Sequence, residues 1–574
     1  MSFRWVYSTP ERADSVRLMM RQLNISEEIA TLLALRGIST YEEAKSFFRA
    51  EKEQLHDPFL MKDMEAGADR LSSAIRNRDR VIIYGDYDVD GTTATSILYL
   101  FLKSFGLQVH YYIPHRFKEG YGINPDGIEF AIQKKADLIV SVDCGITAIE
   151  EAKYAKEKGV DLIICDHHNV GDAIPDAVAV LDPKRPDCSY PFDGLSGAGV
   201  GFKLVQGTIK KLGLTTTIAF QFLDLVAISI ASDIVPIVDE NRALMQRGLA
   251  MINTRPRTGI KALLDQIKIP PGSVRTSSIV FSIGPRINAA GRMGDAAAAV
   301  ELMIAEDANE AAKRAEQLEG INIKRRSTDS LTMEQAVEMI ENEFNMDEIS
   351  SMVLHHPDWH LGVIGIVASR LVDAYYRPAI MLSTVDGKIK GSARSVKGFN
   401  IYNALKKCED LLEQFGGHEF AAGLTMEEKN LQEFRRRMNE IAYTNLSEND
   451  FKPELEIDYE LDLENVDLKF WKVLSQFEPF GPGNMRPVFV SRNVCIENGP
   501  TIVGKGGHLK MKVRQNGSPV FDVIGFNMHK YEPLLRNCDK DKVDIAYVLE
   551  ENNWNGRRSL QMRLKDIRIE ENNL

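Results

Sequence analysis

Between two apolar runs the chain carries GDYDVDG, residues 85–91, which sets Asp86, Asp88 and Asp90 at alternate positions. Three carboxylates that close repel one another unless a cation sits among them or they splay into water. Alternate spacing lets one short segment offer several oxygens, which is what hard divalent cations take. Aspartates also cap helix starts, but three of them packed between a strand and a helix exceed that need. Further pieces repeat the residue types: SVDCG places Asp143, CDHHN places Asp166, His167 and His168, and IASDIVP places Asp233 at the end of an apolar helical stretch. Two imidazoles beside a carboxylate supply nitrogen ligands and an orienting partner, and a carboxylate buried at Asp233 is costly unless paired. These are too many ligands for one ion. Mixed histidine and carboxylate sets suit a pair of Mn²⁺ or Mg²⁺ ions about 3.5–4 Å apart, which clamp a phosphoryl centre and acidify a shared water. Phosphoester hydrolysis is the matching reaction.

The elements that must bring these residues together show as alternation. Between residues 80 and 183 the apolar runs 81–85, 107–113, 136–142, 160–165 and 177–181 alternate with helical segments, the signature of a parallel sheet covered by helices. Three runs end in Asp86, Asp143 and Asp166, so carboxylates distant in sequence are expected on one rim, at the carboxyl ends of the strands. Residues 25–49 read as two short amphipathic helices about the turn RGIS, and 220–253 as helical. Residues 308–345 are proline-free and rich in helix formers, which predicts a long connecting helix. A second, smaller α/β pattern follows from 351 to about 449, and from 451 alternating runs separated by Asn516-Gly517 and Asn555-Gly556 predict a small antiparallel barrel. The expected domains are an N-terminal helical cap (1–60), a parallel-sheet α/β domain (61–307), the connecting helix (308–345), a smaller α/β domain (346–450) and a C-terminal barrel (451–574).

A chain of 574 residues is long enough for two to four such domains. No apolar run reaches membrane-spanning length, the nearest, 223–238, being interrupted by Asp233. The start lacks a signal peptide's apolar stretch, and the six cysteines show no CxxC spacing; a reducing cytoplasm is the expected location. The formal net charge of −12 does not advertise a nucleic-acid partner, so any such surface must be local.

In their order, DYDVDG, Asp143, the literal DHH at 166–168 and Asp233 resemble the motifs of the DHH phosphoesterases. PRINAAGRMG (285–294), HPDWHLGVIGIVASRL (356–371), GSARS (391–395), GGHEFAAG (416–423) and FEPFGPGN (477–484) extend the likeness, over essentially the whole chain, to the RecJ family of bacterial single-strand-specific exonucleases. The resemblance implies a DHH domain, a DHH-associated domain facing it across a groove that admits one strand, and an OB-fold barrel. It implies that Asp88, Asp90, Asp143, His167 and Asp233 hold two metals, Asp143 and Asp233 bridging, with Asp86 and His168 as ligands or directly behind them and Asp166 orienting an imidazole. Arg116, Ser392 and Arg394 are then expected at the strand's 5′ phosphate; Arg286, Asn288 and Arg292 at neighbouring phosphates; and His360 and Arg370 in the groove wall. His418 either binds the phosphate on the scissile side or caps a turn. For each arginine the plain alternative is a surface salt bridge.

On the barrel, Lys505, Lys510, Lys512 and Arg514 with His508 are candidate phosphate contacts, and Phe521 or Phe526 candidate stacking surfaces; lysines on a strand also protect an edge from aggregation. The implied activity is metal-dependent 5′-to-3′ degradation of single-stranded DNA to 5′-mononucleotides, in repair and recombination, by a monomer whose candidate partners are a helicase and a single-stranded-DNA-binding protein. The alternatives are a DHH phosphodiesterase acting on short oligonucleotides or cyclic dinucleotides, and a non-catalytic nucleic-acid-binding scaffold.

Overall fold

The computed structural model describes residues 3–569 apart from 12, 50–54, 271, 347, 505, 537–541 and 555–556. Its contacts divide the chain into two compact units, Lys52–Phe451, and Met1–Glu51 together with Lys452–Leu574.

In Lys52–Phe451 the first sheet is built from β1 (Val81–Tyr84), β2 (Val109–Tyr112), β3 (Leu138–Val142), β4 (Asp161–Cys165) and β5 (Ala179–Leu181), all parallel, in the order 2-1-3-4-5. Alternate side chains of β1 enter opposite cores: Val81 and Ile83 pack with one set of helices, Ile82 and Tyr84 with the helices Pro125–Gln133 and Ile149–Glu157. Burial on both faces explains why these runs read as continuously apolar rather than alternating. The strand order reverses between β1 and β3, and in such sheets the crevice at that switch point, beyond the carboxyl ends, is where ligands bind.

Helix α1 (Val89–Ser104) starts immediately after the motif loop, with Asp88 as its cap: the Asp88 carboxylate accepts the Gly91 N–H at 3.1 Å. A Cβ on Gly91 would fall 2.5 Å from the Asp86 nitrogen, so the return of the helix over the strand end requires glycine. Helices α2 (Gly197–Lys211) and α3 (Leu223–Ser232) complete this core. The stretch expected to be helical from 220 to 253 is broken between α3 and the helix Asp239–Thr254, with Pro236 in the interruption.

After α4 (Gly284–Met293) comes α5 (Ala308–Glu343), which Asp307 caps by accepting from the Asn309 and Glu310 N–H groups. Its Ala315 and Leu318 belong to the first core and its Ala336 and Ile340 to a second, so one helix is shared by both. The second core lies under a mixed sheet of β6 (Met352–His355), β7 (Ala379–Val385), β8 (Lys388–Arg394), β9 (Gln414–Gly417) and β10 (Ala421–Met426), ordered 9-10-8-7-6, with α6 (Leu361–Tyr375) packed on β7 and β8.

In the other unit, Phe489–Val503, His508–Arg514, Phe521–Gly525, Arg557–Ile569 and Val543–Trp554 pair in turn, and the last pairs back with the first. That closes a five-stranded barrel of the OB type and leaves no open edge among these strands. Ile29, Leu32, Leu33 and Ala44 from the N-terminal helices lie in one core with Phe489, Val513 and Tyr547. Arg4–Tyr7 pairs in parallel with Glu454–Ile457. The N-terminal segment, expected as a separate cap, is thus continuous with the barrel. Of the hairpin signals, Asn555-Gly556 lies outside the described residues. No helix among the described residues is long and apolar enough to cross a membrane.

Candidate metal centre and cationic cleft

The parallel sheet delivers the acidic residues to one rim. Asp86 follows β1, Asp143 follows β3 in a left-handed conformation (φ 61°), Asp166 and His167 follow β4, and Asp233 ends α3. Three sets have ligand atoms within 4.8 Å of one another: Asp143 with His167 and His168, Asp90 with His167 and Asp233, and Asp86 with Asp88 and Asp143.

Hydrogen bonds divide these side chains into held and unsatisfied groups. Asp90 is held: Oδ2 accepts the Gly197 N–H (2.6 Å), and Oδ1 accepts the Ala198 N–H and the Ser229 hydroxyl (both 2.7 Å). The N-terminus of α2 thus grips a carboxylate and leaves it little lone-pair capacity. Asp166 is held by the Ile146, His167 and His168 N–H groups and by His168 Nδ1 at 2.7 Å. Burial pushes the Asp166 carboxyl up, but the bond and charge of His168 together with the Ile146 N–H and His167 outweigh it, and the net shift is downward. Reciprocally, burial of His168 is outweighed by Asp166, which raises the imidazole to about 9.

His167 places its Nδ1 3.0 Å from the Leu195 carbonyl oxygen, which accepts the ring proton, so Nε2 presents a lone pair. That lone pair faces carboxylates: Asp143 Oδ1 at 3.2 Å, Asp90 Oδ2 at 3.6 Å and Asp233 Oδ2 at 3.6 Å. Burial keeps the imidazole neutral by lowering its pKa. Asp86 Oδ1, Asp143 Oδ1 and His167 Nε2 are buried without hydrogen-bond partners among the described residues. Acceptors directed at acceptors are costly in a protein interior, and divalent cations resolve the cost. Asp86 and Asp143 are pushed well above the carboxylate range by burial and then by neighbouring aspartates, and Asp233 up to about 8 by burial and Asp90. The chemistry of the donor set fits Mn²⁺ or Mg²⁺.

Beside this rim lies a cleft of about 590 Å³, lined on one wall by Tyr87, Arg116, Phe117 and Arg292 and on the other by Ser392, Arg394 and the β9–β10 hairpin. Tyr87 belongs to the motif loop itself, and the Arg116 guanidinium stands 4.9 Å from its ring centre. Arg394 donates to the Ser392 hydroxyl at 2.9 Å and to the Ala393 carbonyl at 2.8 Å. Burial and the nearby Arg116 and Arg394 push Arg292 down to about 10, and burial and Arg116 lower Arg394. Among the described residues no carboxylate lies in ion-pair distance of these three guanidinium groups, a chemistry that suits an anion.

The other expected contacts are not among the residues that line the cleft. Arg286 is bound to Glu319 and to the Ser282 carbonyl, and Arg370 pairs with Asp329 at 3.1 Å; neither lines the cleft. Asn288 accepts the Val89 N–H at 3.2 Å, fixing the start of α1. His360 caps α6 through the Gly362 N–H and stands edge-on to Phe117. His418 is exposed at the β9–β10 turn, its backbone N–H donating to the Ala421 carbonyl. On the barrel Lys512 pairs with Asp522 and Arg514 with Glu497, Phe521 is buried, and Phe526 is exposed beside His508. Lys510 is exposed, and Lys505 lies outside the described residues.

Sequence reasoning passed over Tyr121, whose hydroxyl donates to the Asp143 carbonyl (3.1 Å) and lies 2.9 Å from His168 Nδ1. It also passed over Tyr87 and Ser229. Tyr121 stands in the same HRFKEGYG run as Arg116, a usable signal; nothing in the sequence singled out Ser229.

Known proteins match over the same spans. Family models for the DHH family, N-terminal domain, the DHHA1 domain and the RecJ OB domain match residues 80–230, 345–444 and 457–566. The single-stranded-DNA-specific exonuclease RecJ of Bacillus subtilis is 38% identical over 99% of this chain and 71% of its own. That of Escherichia coli is 32% identical over 93% of this chain and 95% of its own. The crystal structure of RecJ in complex with Mn²⁺ from Thermus thermophilus superposes with a TM-score of 0.83 at 29% identity, covering 99% of this chain and 80% of that one. The Mg²⁺ complex from the same source gives 0.78 at 27%, covering 99% and 78%.

Proposed function

The chain belongs to the RecJ family of single-stranded-DNA-specific exonucleases, and from that premise we propose how its residues divide the work of a metal-dependent exonuclease acting from the 5′ end. One observation carries the reading: the unsatisfied, buried acceptors Asp86 Oδ1, Asp143 Oδ1 and His167 Nε2 converge at the switch point of the parallel sheet. Asp88, Asp90, Asp143, His167 and Asp233 would hold two divalent cations, Mn²⁺ or Mg²⁺, with Asp86 and His168 as further ligands or directly behind them. Bound ions supply a nucleophilic water at neutral pH and neutralise charge at the phosphoryl centre.

The chain's own residues set geometry and direction. The Leu195 carbonyl keeps the His167 proton on Nδ1, and Asp166 fixes His168. Arg116 and Arg394, with Ser392, take the terminal 5′ phosphate, and Arg292 a neighbouring one, while Tyr87 links this pocket to the acidic rim. A water oxygen bonds to the next phosphorus, the bond from that phosphorus to the terminal nucleotide's 3′ oxygen breaks, and that oxygen leaves with a proton. A 5′-mononucleotide departs, and the shortened strand again carries a 5′ phosphate suited to the same pocket. Service in repair and recombination, as a monomer on ends supplied by a helicase or a single-stranded-DNA-binding protein, is the biological setting this reading supports.

The test uses single-stranded DNA labelled separately at each end. Mn²⁺-dependent release of mononucleotide from the 5′ label, lost on chelation and in Asp143→Ala, is expected; release from the 3′ label first would overturn the direction. A phosphodiesterase for short oligonucleotides or cyclic dinucleotides is not favoured by a likeness that continues through the barrel, and a substrate-length series separates the two. Metal content after purification separates both from a non-catalytic scaffold.

A further inference from the structure

Immediately after Asp233 the chain turns through Ile234 with φ 60°. Among the described residues with positive φ it alone is β-branched. The left-handed region crowds a branched Cβ against the backbone, which is why Gly, Asn and Asp occupy such positions. Burial does not compensate here, because Ile234 is 63% exposed. Most of the isoleucine faces solvent in the free chain, and strain of this kind gathers where a surrounding function requires the side chain.

Its place gives the function. Asp233 Oδ2 lies 3.6 Å from His167 Nε2, so Ile234 stands on the lip of the acidic cluster. It does not line the arginine cleft. The π-helical turn Ile279–Ile283 packs against α3, the helix that ends at Ser232, and carries Phe281, which is 77% exposed. α4 continues that turn, and its Gly284 is pressed so closely to Ser232 that a Cβ would come within 2.8 Å of the hydroxyl. π-helical turns recur at functional sites. The lip therefore presents apolar surface next to the phosphoryl-transfer centre, on a segment separate from the pocket for the 5′ end. α4 spans the distance between the two places, its Gly284 meeting Ser232 beside the lip and its Gly291 meeting Tyr87 of the cleft, so a single strand with its terminal phosphate in the cleft reaches the lip with the part beyond the cut.

We propose that Ile234 is the platform on which the nucleobase on the 3′ side of the scissile bond packs, and that this contact sets the register of each cut. The inference rests on reading the carboxylate cluster as the hydrolytic centre. A nucleobase face is apolar in every base, so the contact demands a single strand without demanding a sequence.

The full-length chain, Ile234→Gly and Ile234→Asn are compared by fluorescence anisotropy on a 5′-phosphorylated single strand with metal chelated, by kcat and KM with Mn²⁺, and by Tm. Glycine and asparagine accept the left-handed backbone, so Tm holds or rises. Binding is expected to weaken about 5- to 20-fold, with a matching rise in KM and kcat within about threefold. An abasic site at the second nucleotide should weaken the unaltered chain comparably and leave both variants unchanged. Variants that bind the intact strand as tightly as the unaltered chain, or that lose as much again at the abasic site, overturn the proposal. Should the unaltered chain prove inert toward DNA, the hydrolytic reading falls, while the anisotropy comparison, which needs no turnover, still decides the role of Ile234.

Discussion

The acidic rim and the arginine cleft follow one rule with opposite sign. On the rim, Asp86, Asp88, Asp90, Asp143 and Asp233 gather around a neutral His167, and buried acceptors stand without donors. In the cleft, Arg116, Arg292 and Arg394 gather with no carboxylate among the described residues in ion-pair distance, and burial and mutual repulsion lower Arg292 and Arg394. Elsewhere in the same unit charges meet their opposites, as in the buried pair of Lys203 with Glu240 at 2.6 Å. Like charges brought together at this cost are an arrangement that cations on the rim and an anion in the cleft would relieve. The two sites differ in how they hold their groups. The rim is fixed by helix and strand termini, the cleft by side chains from separated segments.

The largest effect expected is at the rim. Asp143→Ala should lower kcat about a thousandfold and abolish the rise in Tm that Mn²⁺ gives the unaltered chain, measured by differential scanning calorimetry. Stability should also depend on pH in a defined sense. Asp233 is pushed to about 8 in the folded chain, against about 3.9 unfolded. The folded state therefore keeps a proton that the unfolded chain releases, and metal-free stability falls as pH rises from about 4 to about 8. Mn²⁺ at pH 8 should restore it. A metal-free Tm that climbs over this range would break the claim that the rim is unsatisfied.

In the cleft, Arg116→Ala and Arg394→Ala should raise KM for a 5′-phosphorylated strand about 30-fold and leave that for a 5′-hydroxyl strand nearly unchanged. Equal losses on both substrates would remove the pocket's role in direction. The two sites were unequally legible. The rim was readable because strand-terminal carboxylates in an α/β pattern converge by topology, so local runs sufficed to place Asp86, Asp143 and Asp166, whereas Asp233 reaches the rim from the end of a helix. What the pattern did not show was that α2 already occupies most of Asp90's lone pairs. The cleft was less readable because an arginine's role is set by whether a carboxylate happens to lie opposite, and that is a tertiary fact. The break at Pro236 and the packing of the N-terminal helices into the barrel core were likewise decided by tertiary contacts.

Between the two sites stands Tyr121, on the segment that also carries Arg116. Tyr121→Phe keeps the ring and removes the hydroxyl that donates to the Asp143 carbonyl and lies against His168. Loss of such an outer contact should weaken Mn²⁺ binding about tenfold, read by calorimetric titration, with Tm of the metal-free chain little changed. Unaltered Mn²⁺ affinity would show that the rim is organised by backbone elements alone.

The smallest catalytic effects sharpen the comparison most, because they fall on arginines the sequence does not distinguish from those of the cleft. Arg286→Ala deletes a partner of Glu319 and Arg370→Ala a partner of Asp329. Both pairs tie α5 to a neighbouring helix and leave no charge facing the cleft. The expected cost is stability, about 1 kcal/mol for these half-buried pairs, with KM for 5′-phosphorylated DNA changed less than about threefold. If either variant instead raised KM as far as Arg116→Ala does, with Tm unmoved, that guanidinium would have to leave its carboxylate for the strand. Lack of an ion-pair partner would then no longer separate arginines that bind DNA from those that bind the fold.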